Sequence, residues 1–318
     1  MDSEASGDVI VVGGGVMGMA TALVLARSGR RVRVWSREPA ERTTSAVAGA
    51  LWWPYRIDPV ERVGPWSLQS LRRYAEWARR PEETGVRMVE GVHAGTRLAG
   101  LGEWAGEVAG LRDTAEGLAA RLPLIDMPVH LAWLRGELAA AGVEVELREV
   151  RSLDEAVRVA PVVVNCSGLG ARELVPDAAV RPVRGQLVIV ENPGVRTWYT
   201  AADEASDATT YFFPQPGGRL LLGGTAEVDA WSLEPDPGVA EAIVKRCAAV
   251  RPEIAGARVV GHRVGLRPAR PGVRVEREVV GGGRVLVHNY GHGGAGVTVA
   301  WGCAEEAAGL VVGPAGPR

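Results

Sequence analysis

Asp8-Val9-Ile10-Val11-Val12-Gly13-Gly14-Gly15-Val16-Met17-Gly18 is the stretch that decides the fold. Val9 to Val12 is a short apolar run that ends in glycines, the pattern of a strand buried on both faces. Gly13, Gly15 and Gly18 then satisfy G-x-G-x-x-G. Gly18 to Arg30 continues with helical periodicity, with Met19, Leu23 and Ala26 on one face. Gly29 ends that helix, and Arg31 to Trp35 alternates as a second strand. The spacing has a chemical use: one glycine allows the tight turn, the second lets backbone approach a pyrophosphate, and the third lets helix pack on strand. The N–H groups at the helix start, from Val16 and Met17, are left to face an anion. A dinucleotide site in a Rossmann-like βαβ unit follows.

The end of the second strand leaves the cofactor open. An acidic residue usually holds the ribose there. Ser36-Arg37-Glu38 puts Glu38 near that place, but Arg37 would equally suit a phosphorylated ribose, and both are also ordinary loop charges.

Outward from this unit the pattern changes twice. Thr43 to Tyr55 is rich in small residues and tryptophan and reads as a loop. Helices are expected over Pro65–Arg80, Pro128–Ala141 and Val239–Val250. Strands are expected over Val143–Val150, Val162–Val164, Gln186–Val190, Thr209–Phe213, Arg219–Gly223 and Arg284–Val287. A glycine-rich stretch, Asn289 to Gly296, leads into a last helix, Thr298–Leu310. Nucleotide-binding elements therefore come at both ends of the chain, with mixed elements between. The expected fold class is α/β: a Rossmann-like cofactor-binding domain (1–55, 143–182 and 262–318) interleaved with a mixed-sheet α+β substrate-binding domain (56–142 and 183–261).

Composition narrows the partners. With 318 residues, 47% hydrophobic and 23% charged, the chain can bury a substantial core in two folding units. A net charge of -2 attracts neither nucleic acid nor an anionic membrane. Lys245 is the only lysine, which reads as codon bias in a GC-rich genome. Cys166, Cys247 and Cys303 suit neither a disulfide framework nor a metal site, and the five histidines show no metal-ligand spacing. No basic-then-apolar leader is legible, and Gly316-Pro317-Arg318 is not a peroxisomal address. A bacterial, cytoplasmic protein is expected. The ten tryptophans are read mostly as core or interface, and an apolar tryptophan-rich surface would permit a homodimer.

Later segments carry a resemblance. Thr43-Thr44-Ser45 with Ala48-Gly49-Ala50-Leu51-Trp52-Trp53-Pro54-Tyr55 resembles the FAD-contacting loop of D-amino-acid oxidases. Val163-Val164-Asn165-Cys166-Ser167-Gly168 resembles their second flavin-domain strand and turn, Arg184-Gly185-Gln186 their Arg-Gly-Gln element. Gly265-Leu266-Arg267-Pro268 looks like their substrate-arginine segment, and His288-Asn289-Tyr290-Gly291-His292-Gly293-Gly294 like their C-terminal flavin loop. The resemblance runs in order along nearly the whole chain, and D-aspartate oxidases share the framework.

The resemblance implies FAD as cofactor, a D-amino acid and oxygen as partners, and a role for each matched residue. Arg267 would grip the substrate carboxylate, because a planar guanidinium makes two parallel charge-assisted bonds with it. Taken alone it is one of 35 arginines, most of them in structural salt bridges. Tyr211 would touch the same carboxylate; its plain reading is a strand tyrosine with its ring in the core. The animal enzymes have a further lid tyrosine four residues earlier, where this chain has Asp207. Gly293, Gly294 and Gly296 would let backbone pass close to the flavin ring. The helix opened by Val297 and Thr298 would face its N1–C2 edge. Gly294 would also offer its carbonyl to the substrate amine. Val150, Ser167 and Gly168 complete the expected cofactor contacts. Leu51, Trp53 and Phe213 would line an apolar side-chain pocket, and His292 is read as a buried structural histidine. No metal is expected.

The function implied is oxidative deamination of neutral or apolar D-amino acids, yielding α-keto acid, ammonia and hydrogen peroxide. A D-aspartate oxidase, a glycine or sarcosine oxidase, and a flavin-binding protein without turnover are the competing readings.

Overall fold

The computed structural model describes residues 8–54, 56–202 and 208–312. In chain order the strands are β1 (Val9–Val12), β2 (Val32–Ser36), β3 (Val86–Ala94), β4 (Arg112–Asp113), β5 (Gly117–Ile125), β6 (Glu144–Leu147), β7 (Val162–Asn165), β8 (Arg181–Glu191), β9 (Trp198–Ala202), β10 (Ala208–Gln215), β11 (Arg219–Thr225), β12 (Glu227–Val228), β13 (Val259–Val280) and β14 (Arg284–His292). The helices are α1 (Val16–Arg27), α2 (Thr44–Val47), α3 (Val60–Trp77), α4 (Pro81–Thr84), α5 (Met127–Ala140), α6 (Leu153–Val159), α7 (Ala171–Leu174), α8 (Pro237–Val250) and α9 (Gly296–Val312).

All the described strands join one sheet in the order β4-β5-β3-β9-β10-β11-β8-β13-β14-β7-β1-β2-β6, with β12 on β8. From β14 to β6 the strands are parallel. Val9 and Val11 of β1 face α1 and α9, whereas Ile10 and Val12 face α6. A strand covered on both faces has no polar side, which is why β1 reads as an unbroken apolar run. The rest of the sheet is antiparallel except for the β3–β9 pair, and α8 covers one face of β8, β10 and β11.

β13 joins the two parts. It pairs with β8 from Val259 to Ala269 and with β14 from Ala269 to Val280. The switch falls among Pro268 and Pro271, residues with no N–H to give to a ladder, so the strand changes partner there at little cost in hydrogen bonds. Arg267 stands just before the switch.

The core over Val9 and Val11 continues among α3, α5 and α9. Trp77 packs edge-on against Trp133 and Trp301, with Tyr74 and His130 beside them. Gly302 lets α9 approach α3 closely: a Cβ there would lie 2.2 Å from the Trp66 Cα.

Several expectations need correction. Thr43 to Tyr55 is not all loop, because Thr44–Val47 forms one helical turn. Only Glu144–Leu147 of Val143–Val150 is strand. Asn289 to His292 belongs to β14, so the last helix starts at Gly296 and not at Thr298. Strands β3 and β5 come from stretches without an expected strand; each mixes faces, so clean alternation is missing. The tryptophan-rich surface is absent: of the ten tryptophans only Trp231 is exposed. Asp207 lies outside the described residues. No helix among the described residues is long and apolar enough to cross a membrane.

Candidate active site

One cleft of about 910 Å³ crosses the sheet at the carboxyl ends of β1, β2 and β7. Its wall follows the sheet order: Ser36, Arg37 and Glu38 after β2, Gly13 to Gly15 after β1, Ser167 and Gly168 after β7. Gly293 and Gly294 after β14 come next, then Arg267 on β13, Gly185 on β8, Tyr211 on β10, Thr200 on β9 and His93 on β3. Open parallel sheets bind nucleotides at this position, where the strand order reverses.

At the β1 turn the surroundings leave no space for a side chain at Gly13 or Gly14. Gly13 has a left-handed φ of +124°, and a Cβ there would lie 2.3 Å from the Cys166 carbonyl oxygen. A Cβ at Gly14 would lie 2.2 Å from Ser36 Oγ. Gly18 is the one predicted site residue that does not border the cleft; a Cβ there would lie 1.8 Å from the Gly13 carbonyl oxygen, so it packs helix on turn. Val16 and Met17 open α1 on the cleft, and the Val16 N–H donates to Ser45 Oγ at 3.0 Å. Ser36 Oγ donates to the Glu38 carbonyl at 2.6 Å, which folds the chain back after β2.

The stretch 43–53 lies between the two parts of the sheet. Thr43 Oγ1 donates to the Ala40 carbonyl, and Thr44 Oγ1 donates to the Leu266 carbonyl beside Arg267. Gly49 packs on Phe213, where a Cβ would lie 3.0 Å from the ring. Ala50 has a left-handed φ of +51°, and Leu51 bridges to Leu124. Thr298 Oγ1 clamps the Trp53 backbone, accepting from its N–H and donating to its carbonyl. Gly296, Val297 and Thr298 open α9 on the cleft, and Val150 borders it beyond β6.

Arg267 and Tyr211 each lie over a glycine. The Arg267 guanidinium covers Gly185, and Arg267 Nη1 donates to the Thr225 carbonyl at 2.8 Å. Its other N–H groups have no protein partner among the described residues. The Tyr211 ring covers Gly223, where a Cβ would lie 1.9 Å from Tyr211 Cζ. Phe213 stacks on Tyr211 at 4.9 Å.

Comparison with known proteins fits this geometry. The family model "FAD dependent oxidoreductase" matches residues 8–310. A D-amino-acid oxidase of Streptomyces coelicolor is 67% identical over 98% of both chains. The chain belongs to the D-amino-acid oxidase family of FAD-dependent oxidoreductases. A D-amino-acid oxidase of Rubrobacter xylanophilus is 50% identical, over 95% of this chain and 94% of its own. In fold the chain is similar to a glycine oxidase from Geobacillus kaustophilus, with a TM-score of 0.77, 23% identity, and coverage of 96% and 94%.

Family membership makes the chain an FAD-dependent enzyme, and the cleft fits that cofactor. Two helix N-termini open on it, and glycine backbone borders it at both β1 and β14. Five buried polar atoms without a protein partner belong to its wall: Trp35 Nε1, Ser167 Oγ, Thr209 Oγ1, Asn289 Oδ1 and His292 Nε2. Buried polar groups are nearly always satisfied, so a wall with several orphans is built for a polar occupant.

The family resemblance supplied most of the wall but not all of it. Arg42, Arg56, Arg148, His93, Thr200 and Thr209 also line the cleft. The side-chain end is therefore not purely apolar, as Leu51, Trp53 and Phe213 alone would make it. Periodicity had no means to find His93 or Thr200, which arrive on strands the sequence did not reveal. The Arg-Gly-Gln match pointed at Gly185 and Arg184 without their jobs. Arg184 is buried, paired with Glu227 at 2.7 Å, and donates to Gln186 Oε1 and to the Ser232 and Glu234 carbonyls. It pins the 226–236 segment, from which Val228 and Leu233 reach the cleft wall.

Burial sets the imidazoles. Desolvation lowers His292 to about 3 and His93 to about 4, so both are neutral at ordinary pH. Among the described residues, no carboxylate of β8 to β11 or β13 borders the cleft, and the acidic residues that do are Glu38, Glu149 and Glu173.

Proposed function

We propose that the chain oxidises neutral D-amino acids, turning each into an imino acid that water converts to α-keto acid and ammonia, with oxygen reduced to hydrogen peroxide. What carries the reading is the pair Arg267 and Tyr211, each given room by a glycine, facing the same cleft as the dinucleotide turn. The two named D-amino-acid oxidases support it.

FAD, when bound, supplies an acceptor for the substrate's α-hydrogen as hydride and passes the electrons to oxygen. The chain's own residues align the substrate. Arg267 takes the carboxylate with the N–H groups that Thr225 leaves unused, and Tyr211 adds a hydroxyl. The Gly294 carbonyl accepts from the substrate amine. Three fixed points then leave the side chain of one enantiomer only in the open part of the cleft. His93 and His292 are neutral, and the described acidic residues of the cleft belong to elements around the nucleotide turn, so alignment and electrostatics are the protein's main contribution. Gly13, Gly15, Val16 and Met17 take the pyrophosphate, and Ser36, Arg37 and Glu38 the ribose.

In this reading, residues 1–55, 143–182 and 262–318 form the cofactor domain, and 56–142 with 183–261 the substrate domain. β13 runs through the 261/262 boundary and ties the two. The three cysteines are free and buried, which fits a cytoplasmic enzyme. Among the described residues, the exposed apolar side chains that a homodimer would bury include Trp231 with Val228 and Leu233, and also Val60, Leu147 and Val279.

Peroxide release from a panel of D- and L-amino acids, D-aspartate and N-methylglycine tests the reading. Release from neutral D-amino acids alone supports it. D-aspartate as best substrate, or N-methylglycine with no D-amino acid, would replace it by the corresponding relative's activity.

A further inference from the structure

His93, Thr200 and Tyr211 form a row across three strands. His93 on β3 pairs with Thr200 on β9, and Thr200 pairs with Tyr211 on β10. Paired residues point to the same face, and all three border the cleft. With strands about 4.8 Å apart, His93 stands roughly 10 Å from Tyr211, backbone to backbone. An amino acid whose carboxylate lies at Tyr211 reaches along this row with its side chain. Thr209 shares the face of Tyr211 and borders the cleft, but its Oγ1 is sealed beneath the surface.

The row is held in place. His93 Nδ1 and Thr200 Oγ1 are hydrogen-bonded, and the Trp53 ring packs on the imidazole at 4.8 Å. His93 Nε2 has no protein partner among the described residues and is not sealed inside the protein. The ring is neutral, so Nε2 offers one donor or one acceptor, according to the tautomer, and no charge.

We propose that His93, with Thr200, forms a specificity subsite for a neutral hydrogen-bonding side chain, a carboxamide or a hydroxyl, on the D-amino acid. The proposal rests on the activity read above. A carboxamide carries both donor and acceptor and matches either tautomer. A carboxylate only accepts, and would give up water for a wall that offers no cation in this row. A branched alkyl group of the same shape would cover Nε2 and leave it unpaired. Arg56, which also borders the cleft and is engaged in an interaction of its own, is the group that would favour an anion instead.

D-asparagine, D-aspartate and D-leucine have side chains of one shape and three polarities. The experiment measures kcat/KM for all three with the FAD-loaded wild type and with His93→Leu, His93→Gln and Thr200→Val. The D-asparagine to D-leucine ratio should fall about tenfold in His93→Leu, as expected for one lost hydrogen bond of roughly 1.4 kcal/mol. It should fall less in Thr200→Val and hold in His93→Gln. The D-aspartate to D-leucine ratio should move much less. An unchanged D-asparagine to D-leucine ratio in both His93→Leu and Thr200→Val overturns the subsite alone. So does a D-aspartate ratio that falls as far. If His93→Leu fails to fold, Thr200→Val, which removes only a hydroxyl, decides. Wild type that oxidises none of the three overturns the activity reading and the subsite with it.

Discussion

Gly185 makes the space in which the Arg267 side chain lies. A Cβ on Gly185 would stand 2.5 Å from Arg267 Nη2 and 2.6 Å from Cζ and Nη1. The two residues are on neighbouring strands, and Gly185 pairs with Gly265, two residues before the arginine. The guanidinium lies across bare backbone, which fixes both its height above the sheet and its direction.

Gly185→Ala should therefore act like a mild loss of Arg267. Displacing a substrate clamp by about 1 Å costs on the order of 100-fold. KM for D-amino acids should rise by that order while FAD stays bound. Arg267→Leu should raise KM further, since a bidentate charge-assisted contact is worth roughly 3 kcal/mol or more. Steady-state peroxide kinetics beside the flavin absorbance will show it. An unchanged KM in Arg267→Leu removes the arginine from the site.

The two glycines of the β1 turn should separate folding from cofactor binding. At Gly13 both the φ of +124° and the 2.3 Å approach to the Cys166 carbonyl oppose a side chain, so Gly13→Ala should lower the melting temperature even without FAD. At Gly15 a Cβ meets only the Ser45 hydroxyl, at 3.1 Å. Gly15→Ala should keep the apoprotein's melting temperature and weaken FAD binding about tenfold or more, because the methyl enters pyrophosphate space. Equal apoprotein melting temperatures for both variants would contradict this.

Arg184 should matter for stability more than for chemistry. Removing one partner of a buried charged network costs about 3 kcal/mol or more. Arg184→Met leaves the Ser232 and Glu234 carbonyls and Gln186 Oε1 short of a donor. The melting temperature should drop by roughly 5 to 10 °C. A drop under about 1 °C would mean the network contributes little.

Acid should weaken the fold earlier than the carboxylates would. His93 and His130 are held at about 4 and His292 at about 3 by burial, against 6.5 when unfolded. The unfolded chain thus binds more protons, and stability falls as pH falls. The contribution is complete above pH 6.5 and declines from there down to about pH 4, and to about pH 3 for His292. Each imidazole costs roughly 1 kcal/mol per pH unit in its window. Thermal melts at pH 8, 7, 6 and 5 should be flat between the first two and fall after that. A melting temperature that holds from pH 7 to pH 5 would show that these histidines take up protons in the native state as readily as in the unfolded chain.

Much of this was legible in the chain itself. Val9 to Gly18 announced strand, turn and helix, because a strand covered on both faces must be wholly apolar and a pyrophosphate turn must be glycine. Both demands act over a few residues. Thr44–Val47 escaped notice because four residues are too short to show a helical period, and β3 because Val86 to Ala94 presents no clean alternation.

What the sequence determined by itself was local: the dinucleotide turn, the helices with a clear period, and the segments that mark the family. What only the tertiary structure decided was which residues meet across the sheet. Gly185 gives room to Arg267, Gly223 to Tyr211, and His93 lines up with Thr200, although 82, 12 and 107 positions separate the partners. Periodicity reports the face on which a residue lies. The partner it finds there depends on strand order and register, which the packing of the whole sheet sets.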